Sequence, residues 1–147
     1  MGVALAIGMS YKREGREFEH YNSQAALFGQ ATKEMYLLLD VFGGTSVQNI
    51  FLGIGDLYVT VFGGRNRRLG NLLGQGYTYD EAMAELEGIT LEGVVITECT
   101  AIAAEQLAKL GEIDIKDFPL LMHMKELLFE DKRINVPWKA FETEYEK

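Results

Sequence analysis

The sequence predicts an all-α fold, a single helical domain running over residues 1–147. Three observations support this. Only two prolines interrupt the chain, Pro119 and Pro137, so most of it is free to be helical. Apolar residues recur at three- and four-residue spacing in several long segments, the period of a helix. Start and stop signals punctuate those segments at helix-length intervals.

Taken in order, the opening VALAIG reads as a helix entered partway along. Ala25, Ala26, Phe28, Gly29, Thr32, Met35, Tyr36 and Leu39 predict a helix from about Ser23 to Val41, stopped by the glycine pair 43–44. TSVQ at Thr45–Gln48 has capping-box form and predicts the start of a short helix. LYVTVF at 57–62 fits a strand or a buried helical segment, since short apolar runs share one pattern. RNRRLGNLLGQG, behind Gly63 and Gly64, is helical in pattern. In TYDEAMAELEG, Thr78 is placed to cap, Glu81 to return the bond and Gly88 to terminate. The longest predicted helix begins near Glu92 and stops at Gly111. Asp117 stands where an N-cap belongs, with Pro119 in the first turn before Leu120, Leu121, Met124, Leu127 and Leu128. The tail VPWKAFETEYEK adds one or two turns.

Charge and composition exclude several classes. The 22 acidic residues outnumber 14 Lys plus Arg, a formal net charge of −8, which argues against nucleic-acid and membrane-surface partners. No run approaches the length of a membrane span. The single cysteine, Cys99, permits no internal disulfide and fits a reducing, cytoplasmic setting as a structural thiol. His20 and His123 have no Cys, Asp or Glu at metal-ligand spacing, so no metal site is expected. His123 reads as a helix-surface or satisfied core residue, and the methionines of PLLMHM as core filling.

Against this acidic background, Arg65, Arg67 and Arg68 cluster behind the double glycine. Glycines let backbone approach a ligand, and the N–H groups of a first helical turn favour an anion. Arg65 is closest to the turn, Arg68 is spaced to reach the same face, and Arg67 points elsewhere. The alternative is a solvated helix whose arginines pair with surface acids. No P-loop or dinucleotide fingerprint is present. Asp56, between FLGIG and an apolar run, reads as a partly buried carboxylate needing partners, or as a helix N-cap.

Motifs in order carry a resemblance. GIGDLYVTVFGGRNRRLGNLLGQGYTYDEA, then LEG, then FPLLMHMKELLFE, with VALAIG and NSQAAL before them, resemble the C-terminal, substrate-binding domain of NAD(P)-dependent glycerol-3-phosphate dehydrogenase. The resemblance implies a helical domain like those ending the 6-phosphogluconate dehydrogenase group. It implies that Gly64, Arg65 and Asn66 hold the phosphate of glycerol 3-phosphate or dihydroxyacetone phosphate, with Asp56 and Thr60 at the reacting end. It also implies that Arg65, Thr90 and Glu92 face the dinucleotide, NAD or NADP, held mainly by an N-terminal domain absent from this chain. The family's catalytic lysine would fall just before Met1, so the chain alone is expected to be catalytically silent. Gln24 stands where the family has lysine. Apolar surface normally covered by the missing domain is expected to be exposed or used for homodimerisation. Two rivals remain open, a stand-alone phosphometabolite-binding module and a helical interaction domain.

Overall fold

The computed structural model describes residues 1–10, 21–43, 46–89 and 91–142. A short apolar helix, α1 (Gly2–Ser10), lies at the centre, with Val3, Ala4, Ala6 and Ile7 all buried. Around it pack α2 (Tyr21–Val41), α3 (Ser46–Phe62) and α4 (Arg65–Gly74). Glycine sets the closeness of these contacts. A Cβ on Gly70 of α4 would lie 2.5 Å from the Ala6 Cβ and would also strike the Val3 carbonyl. A Cβ on Gly8 would lie 2.9 Å from the Gln24 Cα of α2. Close backbone packing of this kind is open only to residues without a side chain.

The run LYVTVF is helical and continues the helix expected to be short, so α3 has 17 residues, and no strand occurs among the described residues. The expected cap at Thr45 lies outside the described residues. After α4 come α5 (Tyr79–Glu85), α6 (Glu92–Lys109) and α7 (Pro119–Phe129). The predicted capping box of α5 is present: the Thr78 N–H donates to Glu81 Oε2 at 2.8 Å, and the Glu81 N–H donates to Thr78 Oγ1 at 3.4 Å. Arg133 grips the same carboxylate at 2.9 and 3.1 Å and also donates to the Gly76 carbonyl. This ties the extended tail to the start of α5. Those donors, the Thr78 N–H first, hold the Glu81 carboxyl below its ordinary value.

One expectation is corrected here. Asp117 does not cap α7. It closes a 3₁₀ turn, Ile115–Asp117, whose own cap is Asp114, accepting from the Lys116 N–H at 2.9 Å. Phe118 occupies the N-cap position of α7, and its first-turn donors reach Glu34 of α2 instead. The helix expected over Ser23–Val41 is present as α2, and of the residues that marked it Phe28 and Met35 pack against the core. Ala25, Ala26, Gly29 and Tyr36 are exposed, whereas Leu27, Gln30, Ala31 and Glu34 are buried.

The main core joins Val3 and Ile7 to Leu27, Leu57, Leu69, Leu73, Leu120, Met124 and Leu127. A smaller cluster, Ala101, Ala104, Phe118 and Leu121, fastens α6 to α7. Met124 fills core as expected, and Met122 packs at the edge of the smaller cluster. His123 is buried, but its Nε2 has no hydrogen-bond partner among the described residues, so it is not a satisfied core histidine.

Candidate functional site: a cleft between two helix starts

The double glycine and the arginine cluster meet at the start of α4. Gly64 is its N-cap with φ 93°, a backbone conformation that only glycine adopts without strain. Arg65 and Asn66 follow at the first two helical positions. Opposite them, Leu91 caps α6, with Glu92 and Gly93 opening its first turn. Arg65, Asn66, Leu91, Glu92 and Gly93 line one open cleft of about 190 Å³.

The chemistry of this cleft follows from its parts. Neither helix start has a side-chain cap, and the first residues of both line the cleft. Each helix start carries partial positive charge, and the Arg65 guanidinium adds a full one. Glu92 supplies the opposing charge and can accept hydrogen bonds from hydroxyls. Asn66 is held close to α6: a Cβ on Gly93 would lie 3.0 Å from the Asn66 Oδ1. A larger residue at 93 would push the carboxamide away.

The start of α1 enters the same neighbourhood. A Cβ on Gly2 would lie 2.6 Å from Thr60 Cγ2 and 4.0 Å from Asn66 Cβ. Thr60 and Asn66 therefore flank the first turn of the central helix. Asp56 is one turn before Thr60 on α3, in the interior of that helix and exposed. It is thus neither a partly buried carboxylate nor an N-cap, because the helix runs unbroken through GIGDLYV and turns position 56 beyond the buried Leu57. The cleft is lined from the starts of α4 and α6, and neither Asp56 nor Thr60 is among its lining residues. Arg68 is exposed and does not line the cleft. Arg67 folds back onto α3, donating to the Phe62 carbonyl at 2.8 Å. Thr90 and His20 lie outside the described residues.

A family model described as NAD-dependent glycerol-3-phosphate dehydrogenase C-terminus matches residues 2–139. The chain belongs to this family. It is 37% identical over 133 residues to an NADP(+)-dependent glycerol-3-phosphate dehydrogenase of Archaeoglobus fulgidus, covering 90% of this chain and 38% of that protein. It is 34% identical over 134 residues to a glycerol-3-phosphate dehydrogenase [NAD(P)+] of Agathobacter rectalis, covering 88% and 36%. The corresponding protein of Bacillus subtilis is 35% identical over 135 residues, covering 90% and 36%. The chain thus spans little more than a third of the length of these relatives. No solved structure gives a significant match.

Within this dehydrogenase C-terminal family, the cleft contains two residues that sequence reasoning did not single out, Leu91 and Gly93. Gly93 carried a usable signal: a glycine directly after a charged helix start is unfavourable for the helix unless something approaches it closely. Among the described residues there is no cluster of His, Cys, Asp and Glu that could hold a metal. No helix of the described residues is long and apolar enough to cross a membrane.

Proposed function

We propose that this domain anchors the phosphate of glycerol 3-phosphate or dihydroxyacetone phosphate for hydride transfer at C2. The observation that carries the proposal is the cleft where the starts of α4 and α6 converge on Arg65 and Asn66. Backbone N–H groups at a helix start, an arginine fork and a carboxamide suit a dianionic phosphate, each charge-assisted bond contributing about 1.5–3 kcal/mol when desolvated. A cleft of about 190 Å³ fits a small ester rather than a polymer.

In this reading Gly64, Arg65 and Asn66 hold the phosphate, while Thr60 and Asp56, one turn apart on α3, address the carbon that reacts. When bound, NAD or NADP supplies the hydride acceptor or donor. Glu92 suits the hydroxyl groups of a dinucleotide better than its phosphates, and Arg65 and Thr90 complete the proposed contacts of this chain toward it. The main dinucleotide-binding function, and the lysine that handles the hydroxyl proton, are assigned to the portion of the relatives that this chain does not match. The chain's own part is positioning, which can supply at most about 7–11 kcal/mol of a barrier.

The proposed partner for the exposed apolar face of α3 is that same portion. Phe51, Leu52, Tyr58, Val59 and Phe62 are 58–77% exposed on one side of the helix. Asp56 borders that side, so a body covering the face also closes over the reacting end.

Titration of the 147-residue chain with glycerol 3-phosphate tests the reading. Amide resonances of Gly64, Arg65, Asn66 and Gly93 should shift, and Arg65→Ala should abolish the shifts. Shifts that survive Arg65→Ala, or are lacking in the parent chain, would overturn it.

A further inference from the structure

Arg67 occupies the third helical position of α4, and its guanidinium turns back across the double-glycine bend. Its Nη1 donates to the carbonyl of Phe62, the last residue of α3, at 2.8 Å. That carbonyl is one of the acceptors a helix end leaves without an intrahelical partner. The Nε of the same group is buried and has no hydrogen-bond partner among the described residues. A buried donor without an acceptor is unfavourable, and its retention calls for a reason. The position is also unfavourable for α4, since a helix start repels cations, whereas the end of α3 attracts them.

Packing on α1 holds the bodies of α3 and α4, but the two residues of the bend itself carry no side chains to hold it. Gly63 and Gly64 are both exposed, and a Cβ on either would meet nothing within 4 Å. Gly64 needs to be glycine for its φ of 93°; Gly63 has no positive φ, so it contributes freedom without a steric requirement. Thr60 lies just before the bend, and Arg65 and Asn66 just after it. Their relative placement depends on the angle at which α3 hands over to α4.

We propose that Arg67 is a positioning residue whose grip on the Phe62 carbonyl locks the α3–α4 bend, so that Arg65 and Asn66 face the α6 start ready for an anion. The inference rests on the anion-binding reading of the cleft. Without the grip, two adjacent glycines must be ordered at the moment of binding, and affinity falls by that conformational cost.

The test uses Arg67→Met, which keeps the length and apolar stem but removes every donor, and Arg67→Lys, which restores one donor. Binding of inorganic phosphate and of glycerol 3-phosphate is followed by amide shifts at Gly64–Asn66, and ¹⁵N order parameters are measured at Gly63 and Gly64. Arg67→Met should weaken both ligands about ten-fold, equivalent to ~1.4 kcal/mol, and lower the two glycine order parameters. Arg67→Lys should recover most of the loss. Adding Gly63→Ala to Arg67→Met should also recover affinity, because it removes freedom from the bend without restoring the donor. A merely structural arginine would give neither the local change in order nor that rescue. Unchanged affinity and order in Arg67→Met would overturn the positioning role. Absence of phosphate shifts in the parent chain would instead overturn the anion reading, and with it the purpose assigned to the grip.

Discussion

The carboxylate of Glu34, in the middle of α2, caps α7: its Oε1 accepts the Leu120 N–H at 2.7 Å and its Oε2 the Leu121 N–H at 2.8 Å. Gln30, one turn earlier on α2, donates to the same Oε1 at 2.7 Å. Glu34 is completely buried, so these three donors replace water entirely. A residue 86 positions away thus does the work that a local Ser or Asp usually does at a helix start.

Removing that carboxylate should be costly. Glu34→Ala leaves two buried N–H groups without acceptors and opens space between α2 and α7. A loss of about 3 kcal/mol is expected, at the upper end for one buried charge-assisted group. Glu34→Gln keeps the shape and one acceptor oxygen and should lose about half as much. Urea unfolding with unchanged m-values measures both. A loss below 0.5 kcal/mol for Glu34→Ala would show that the cap carries no weight.

Two buried groups should give stability opposing slopes with pH. Burial is the main cause that lowers the His123 pKa below its ordinary 6.5, with Glu126, 3.8 Å from Nδ1, pulling weakly the other way. Below pH 6.5 the unfolded chain takes up a proton that the folded chain refuses. The His123 contribution is therefore intact above 6.5 and is lost as pH falls toward the folded value. Burial likewise raises the Glu34 pKa above its ordinary 4.5, outweighing its three donors. Its contribution is fully present below 4.5 and declines as pH rises through the folded value. His123→Gln should flatten the acid-side loss below pH 6.5, by at most about 1.4 kcal/mol per pH unit. Urea unfolding at intervals between pH 5 and 7 reads this directly, and identical slopes in parent and variant would contradict it.

How far the sequence reveals this molecule depends on which physical signal each element carries. Local signals were legible: the Thr78–Glu81 box is set by neighbours three residues apart, and the stops at Gly88 and Gly111 by φ of 75° and 76°. The convergence of Gly64, Arg65 and Asn66 on a helix start was legible for the same reason. The buried face of α2 was hidden, because its centre is polar. Gln30 and Glu34 disguise a core position whose partners lie on α7, and no local pattern announces donors that distant. Asp56 misled in the opposite sense. Its apolar neighbours suggested burial, yet several of the large apolar residues of α3, Phe51, Leu52, Tyr58, Val59 and Phe62, face outward.

The crossing of α1 over α4 offers a steric prediction. Gly70 is buried, and a Cβ there would fall 2.5 Å from the Ala6 Cβ and against the Val3 carbonyl, which is backbone and cannot swing aside. Gly70→Ala should destabilise by about 1–3 kcal/mol, as overpacking does, despite the better helix propensity of alanine. Thermal unfolding checks this. Gly29→Ala, on an exposed stretch of α2 with nothing within 4 Å of the added carbon, is the control and should be neutral or stabilising.

The outward face of α3 gives the last prediction. Leu52 and Val59, 77% and 68% exposed, stand seven residues apart and so share one side of the helix. With Phe51, Tyr58 and Phe62 beside them, the apolar surface approaches the largest patches that monomers leave uncovered, about 300–600 Å². If that face is built to be covered, the chain without its cover should associate with itself as concentration rises. Replacing Leu52 and Val59 by lysine puts two like charges at the centre of the patch while leaving the buried side of α3, Ile50 and Leu57, untouched. Lysine favours a helix at least as well as valine does, so stability should change by no more than about 0.5 kcal/mol. Light scattering of the parent chain should show concentration-dependent growth in mass, and the double variant should stay monomeric. A parent chain that remains monomeric up to about millimolar concentration, far weaker than the micromolar pairing that ~8.2 kcal/mol supports, would mean the face is simply tolerated by solvent, and the docking role proposed for it would fall.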